Sequence, residues 1–254
     1  MPNQLRTIIA GVRSLVAYVS VTIYVLLVAP PGIALATIFE RPELLYWLGR
    51  GGVRLGLATV GITYRSTGLE HVQHNHAAVY CVNHASNIEP PILFMVLEAL
   101  HPKLVVLYKA ELRKVFPVLK WAFDVVGFVP IERGHRERSM QAIDRAAASL
   151  RDGKSFLMFP EGTRSRTGQL LPFKKGGFIM ALKGGATVVP VAIQGTLTAM
   201  KKGSLIIRPV VVSVRLGPPV EIQGKTLGDR DELIAITRNS VRNLLEAGPI
   251  EREV

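Results

Sequence analysis

The sequence predicts an α/β fold: a single mixed sheet of about seven strands flanked by helices, behind an N-terminal hydrophobic helical membrane anchor. Three observations lead there. Beyond about residue 60, short β-branched runs alternate with longer helical patterns, the signature of helices covering a sheet. Ahead of them, no charged residue occurs from Ser14 to Phe39. No Gly/Ser/Pro linker is long enough to divide the remainder further, so residues 1–58 are assigned to the anchor and 59–254 to one catalytic domain.

The anchor comes first. As a helix, Ile8 to Ala29 would extend about 33 Å at ~1.5 Å per residue, enough for a bilayer core. A signal peptide is one reading, with Arg6 and Arg13 in front and Ala34-Leu35-Ala36 as a cleavage-type site. A single transmembrane helix ending at Pro30-Pro31 is another. The favoured reading is a hairpin that turns at Pro30-Pro31-Gly32 and returns through Ile33 to Val60, where Glu40, Arg41, Glu43, Arg50 and Arg54 suit an interface.

Strands follow near Val60 to Ser66, Ala78 to Val82, Leu104 to Tyr108, Phe128 to Ile131, Ser155 to Phe159, Thr187 to Ile193 and Val210 to Leu216. Helices are expected near Pro91 to Leu100, Leu112 to Val125, Arg136 to Arg151, Phe173 to Gly184 and Asp229 to Glu246.

Composition narrows the function. Hydrophobic residues make up 48% and mean hydropathy is +0.29, which points to surface facing lipid. A net charge of +12 favours anionic headgroups or phosphates. A nucleic-acid partner is not expected, because the basic residues lack interleaved stacking aromatics. Cys81 is the only cysteine, so there is no intramolecular disulfide and no thiolate metal site, and a reducing, cytosol-facing location fits.

The chemistry concentrates where an apolar strand gives way to a helix, in Cys81-Val82-Asn83-His84-Ala85-Ser86-Asn87-Ile88-Glu89-Pro90-Pro91. His84 leaves the strand at this turn and is the expected general base. Glu89 can meet it only if His84 sits in the loop and Glu89 in the first helical turn, where the carboxylate would fix the imidazole tautomer. Ser86 to Glu89 is equally a capping-box pattern, and both readings stand. Cys81 should face away from His84 by strand alternation, and no Gly-x-Ser-x-Gly elbow occurs, so the activated hydroxyl belongs to the substrate.

Two further strands end in charged turns. Gly127 to Gly134 delivers Arg133, and Phe159-Pro160-Glu161-Gly162-Thr163-Arg164-Ser165 delivers one acid and Arg164, with Lys174 and Lys175 following. Guanidinium grips phosphate in bidentate fashion, so Arg133 and Arg164 are read as an anion site and Lys175 as a solvated charge.

These segments, with Val189-Pro190-Val191, occur in the order of the four motifs of the glycerolipid acyltransferases, and the chain resembles that family over about residues 77 to 195. One position departs: the family's aspartate is here Glu89. The resemblance implies that Arg133, Glu161, Gly162 and Arg164 hold a glycerol-phosphate, that Lys109 lies near the reacting carbonyl, and that Thr163, Lys174 and Pro190 belong to the substrate site. It implies acyl transfer from acyl-CoA or acyl carrier protein to the sn-2 hydroxyl of lysophosphatidic acid, giving phosphatidic acid, with no metal or cofactor. The enzyme would sit on membrane lipids, its domain on the cytoplasmic face. A lyso-aminolipid acceptor is the alternative, and a noncatalytic lipid-binding protein the rival class. The cluster His71, His74, His76 has no thiolate or carboxylate at ligand spacing, which argues against a metal hydrolase.

Overall fold

The computed structural model describes residues 3–110, 120, 123–125, 128–131 and 136–251. Strands β1 (Ile62–Thr67), β2 (Ala78–Val82), β3 (Leu104–Lys109), β4 (Val129–Ile131), β5 (Ser155–Met158), β6 (Thr187–Gln194) and β7 (Val210–Leu216) form one sheet in the order β1-β7-β6-β2-β5-β3-β4. Every adjacent pair is parallel except β6 and β7. The strands β6, β2, β5, β3 and β4 therefore deliver their carboxyl ends to one edge, the edge where ligand-binding loops collect in such sheets. The expected sheet is present with ends close to those expected. At the start of β1, the preceding helix runs to Val60, and Gly61 (φ 75°) ends it in the left-handed conformation.

Strand alternation gives the sheet two cores. Tyr80 and Val82 of β2 join Leu157, Val189, Val191, Val212 and Val214 on one face. That face packs on α3 (Glu89–Val96), through Ile92, Leu93 and Met95, and on the end of the N-terminal hairpin. Val79 and Cys81 face the other way with Val105, Phe156, Met158 and Val188. They pack on α4 (Arg136–Arg151), α5 (Gly176–Gly184) and α7 (Arg230–Glu246). A four-residue helix, α6 (Thr196–Ala199), follows β6. The helix expected over Leu112 to Val125 lies, apart from residues 120 and 123–125, outside the described residues.

The N-terminus corrects the expected turn. Helix α1 runs unbroken from Asn3 to Ile38 through Pro30 and Pro31, and the chain reverses at 39–42 before α2 (Glu43–Val60). Each proline removes a ladder hydrogen bond and would normally end a helix. Here tertiary packing overrides the local rule. Gly32 leaves room for Leu48 of α2, Gly51 and Gly52 take the ring of Tyr24, and the Tyr24 hydroxyl donates to the Leu48 carbonyl at 2.8 Å. Arg13 Nε donates to the Thr59 carbonyl at 3.0 Å, so α2 lies antiparallel along α1. The hairpin crosses one sheet face: Leu57 and Val60 enter the core near the start of β1, while the Tyr46 hydroxyl donates to Leu104 O at the start of β3. Helix α1 is long and apolar enough to cross a membrane, with mean hydropathy 2.0 over its best window.

Gly68 makes the tightest backbone contact of the β1–β2 connection. At φ 77° it lies against β7, and a methyl built on it would stand 2.0 Å from the Leu216 carbonyl oxygen. The left-handed backbone alone costs an L-residue about 1–2 kcal/mol. Gly68→Ala should therefore destabilise the protein by more than about 2 kcal/mol, seen as a lowered urea midpoint at unchanged slope.

Candidate active site

Asn83 and His84 are the first residues past β2. The Asn83 amide takes the place of a strand residue: its Nδ2 donates to Ile193 O at 3.0 Å and its Oδ1 accepts from Ile193 N at 2.8 Å. The ends of β2 and β6 are thereby pinned together. His84 Nδ1 then lies 2.6 Å from Glu89 Oε2. Glu89 is fully buried, whereas the imidazole keeps 17% of its surface. Glu89 Oε1 also accepts from the backbone N–H groups of Ala85 and Ser86, each at 2.9 Å, and from Thr196 Oγ1 at 2.6 Å. A carboxylate so surrounded only accepts, so Nδ1 carries the hydrogen and Nε2 presents a lone pair.

The two readings of Glu89 are thus both partly realised. The bond from Ser86 N–H to Glu89 is the reciprocal half of a capping box. The other half is altered: Ser86 Oγ accepts from Ile88 N–H at 3.4 Å rather than from Glu89 N–H, and donates to Met200 O at 2.8 Å. One carboxylate closes the turn and orients the histidine.

Glu161 holds the same loop from below. Its Oε1 accepts from His84 N–H at 2.7 Å and its Oε2 from Leu171 N–H at 3.0 Å, and it is almost completely buried. Burial pushes its carboxyl above the usual range, against the pull of those two bonds. Both oxygens are therefore occupied by backbone. The Phe159 ring stacks on His84 with centroids 4.2 Å apart, and Ser165 N–H donates to His84 O at 2.7 Å.

Gly162 (φ 66°) turns the chain beneath the aliphatic part of Lys174. Lys202 Nζ donates to Thr163 Oγ1 at 3.0 Å and to Arg164 O at 3.2 Å. Thr163 and Lys174 are exposed and Arg164 half-buried, and neither Arg164 nor Lys174 pairs with a carboxylate among the described residues. Lys175 instead meets the exposed Asp231 at 3.3 Å, in keeping with a surface charge. Pro190 sits inside the sheet opposite Cys81, its carbonyl taken by Gly217 N–H at 2.9 Å. Lys109 ends β3 at the same sheet edge as His84, but its side chain, like the whole of Arg133, lies outside the described residues.

Cys81 is fully buried on the face away from α3, and burial raises its thiol well above its ordinary value. The loop of His71, His74 and His76 precedes β2, about 17 Å from His84 along a five-residue strand at ~3.3 Å per residue. Sequence reasoning left Thr196 and Lys202 unassigned and gave Asn83 no separate role. Thr196 is 107 positions from Glu89, and no local pattern marks it.

A histidine oriented by a buried carboxylate, at the carboxyl edge of a largely parallel sheet, is the geometry a general base requires. Residues 63–194 match the acyltransferase family, and the chain belongs to it. A 1-acyl-sn-glycerol-3-phosphate acyltransferase of Limnanthes douglasii is 33% identical over 186 residues, 72% of this chain and 64% of that protein. The chain thus spans just under two thirds of that relative's length. The enzyme of the same name from Borreliella burgdorferi is 26% identical over 80% of each chain. The crystal structure of the 1-acyl-sn-glycerophosphate acyltransferase PlsC from Thermotoga maritima superposes with a TM-score of 0.79 at 25% identity, covering 97% of this chain and 100% of that one.

Thr196→Val should leave the fold intact while removing one of the donors to Glu89. The expected result is a fall in turnover of about tenfold, the value of one buried charge-assisted hydrogen bond, with apparent substrate KM unchanged. Thr196→Ser should restore most of it, and steady-state kinetics of the two variants is the measurement.

Proposed function

We propose that the protein transfers an acyl group from a thioester donor to the sn-2 hydroxyl of lysophosphatidic acid, giving phosphatidic acid. The observation that carries this reading is the His84–Glu89 pair, in which Nε2 has no partner among the described residues and the ring keeps 17% of its surface. Nε2 accepts the proton of the acceptor hydroxyl as its oxygen attacks the thioester carbonyl. The tetrahedral oxyanion collapses, the C–S bond breaks, and the departing thiolate takes the proton from the imidazolium. Such general-base assistance is worth ~10² to 10⁴ in rate. Glu89 stabilises the imidazolium between the two steps, and no metal is needed.

Arg164 and Lys174 supply positive charge on the turn that Glu161 ties to the His84 loop, and Arg133 is the further candidate for the phosphate. Glu161 itself is read as a positioning residue, because its oxygens already serve two backbone donors. The soluble donor is acyl-CoA or acyl carrier protein. The hairpin holds the domain on a membrane, and the expected side is the cytoplasmic one, where the donor is found. Names of relatives favour lysophosphatidic acid over a lyso-aminolipid.

His84→Ala should reduce phosphatidic acid formation at least a hundredfold, followed by mass spectrometry with each donor, and retention of a tenth of the rate would overturn the general-base role. Arg164→Ala should raise the apparent KM of the phosphate-bearing acceptor more than that of the donor, and an equal effect on both would assign Arg164 elsewhere. In sealed vesicles, an Asn3→Cys, Cys81→Ser variant should be labelled from the side that carries the catalytic domain. Labelling from the opposite side would establish a single crossing.

A further inference from the structure

The loop 200–208 belongs to neither the His84 loop nor the hairpin, yet it is bonded to both. Its base is closed by Arg208 N–H donating to Ala199 O at 2.8 Å. Inside it, Ser204 N–H donates to Lys201 O at 3.0 Å and Ile206 N–H to Ser204 Oγ at 3.0 Å, with Gly203 (φ 90°) at the bend. On one flank the Tyr18 hydroxyl of α1 donates to Leu205 O at 2.9 Å, and Ser14 Oγ accepts from Ile207 N–H at 2.8 Å. On the other, Ser86 Oγ donates to Met200 O, and Lys202 holds Thr163 and the Arg164 carbonyl.

This hydrogen-bonded loop carries Leu205 outward at 75% exposure, the highest of the large hydrophobic side chains among the described residues. A leucine held outward by a hydrogen-bonded turn leaves its apolar surface uncovered by the described residues, and an apolar phase outside the chain would gain by covering it. Two features say what covers it. Ile8, Val12, Leu15 and Val19 make an exposed row at helical spacing along α1, and Tyr18, which holds the loop, lies one helical step from Leu15. The apolar surface of a helix long enough to cross a membrane thus continues onto the loop. The stretch of chain that contains it carries charge of one sign: from Gly162 to Val220 there is no Asp or Glu, while Lys and Arg number nine, among them Lys201, Lys202 and Arg208 of the loop itself.

We propose that the loop 200–208 is a second membrane contact, in which Leu205 inserts into an anionic bilayer while Lys201 and Arg208 meet its phosphates. Basic residues at such a surface gain from the negative potential of anionic lipid, and one buried leucine is worth about tenfold or more in affinity. Because Lys202 and Met200 tie the loop to the Arg164 turn and the His84 loop, insertion sets the height of the reaction centre above the leaflet.

The test uses the full chain in vesicles of phosphatidylcholine, with or without phosphatidylglycerol. A Leu205→Cys variant in a Cys81→Ser background carries an environment-sensitive nitrobenzoxadiazole dye. Its emission should shift to the blue and be quenched by shallow spin-labelled lipid, more strongly with phosphatidylglycerol. A dye that stays water-like and open to iodide in both vesicles overturns the proposal, as does a shift that appears only on adding acyl carrier protein or at high protein density. The activity arm rests on the lysolipid reading above. Leu205→Asp and Lys201→Glu should each lower transfer to bilayer-embedded lysolipid by about tenfold or more, with transfer to a short-chain soluble lysolipid kept. Equal loss on both acceptors overturns the docking role. If the wild type acylates neither, the proposed reaction fails, and the fluorescence result alone decides the docking.

Discussion

The reacting edge depends on one buried carboxylate. An ionised group removed from water costs several kcal/mol unless charge and hydrogen bonds replace its hydration. Glu89 receives that replacement from His84, two backbone N–H groups and Thr196, which come from the end of β2, the turn before α3 and the start of α6. None of these can shift alone without leaving the charge short of a donor. The loop's shape, the imidazole's orientation and the docking of α6 are therefore consequences of a single electrostatic requirement.

Glu161 repeats the principle from the next strand. It grips the backbone of His84 while Glu89 grips the ring, so the base is held at two independent points. The bond from Ser165 N–H to His84 O adds a third and joins the 159–165 turn to the β2 loop. An acceptor phosphate on that turn and a hydroxyl at Nε2 would then share one rigid frame, the condition under which proximity lowers a barrier.

Much of this was legible in the amino-acid order. The bounds of β2, β7 and α4 were met to the residue, because short valine-rich runs and a clean helical period leave little competition. His84 and Glu89 were legible because their spacing admits contact only across a strand-to-helix turn. Pro30-Pro31 misled, since the local rule that proline ends a helix gave way to small residues packing α1 on α2. The partners of Glu89 and Glu161 were illegible for a different reason. Thr196 reaches Glu89, and the His84 N–H reaches Glu161, through the order of strands in the sheet, which no short window contains. The family resemblance implied a substrate contact for Glu161, and burial with two backbone donors adds a bracing contact that no motif announces.

The position of Cys81 has a chemical corollary. Strand alternation turns the lone thiol into the core beneath α4 and α5, fully covered, while His84, three residues on, keeps part of its surface. Thiolate is the form that alkylating agents and peroxides attack, and burial suppresses it here. In the proposed reaction the general base is an imidazole and the attacking group belongs to the substrate. Catalysis should therefore be blind to oxidative stress and to maleimide-type poisons as long as the fold holds, and a compound that silences the protein by thiol modification would be acting as a denaturant.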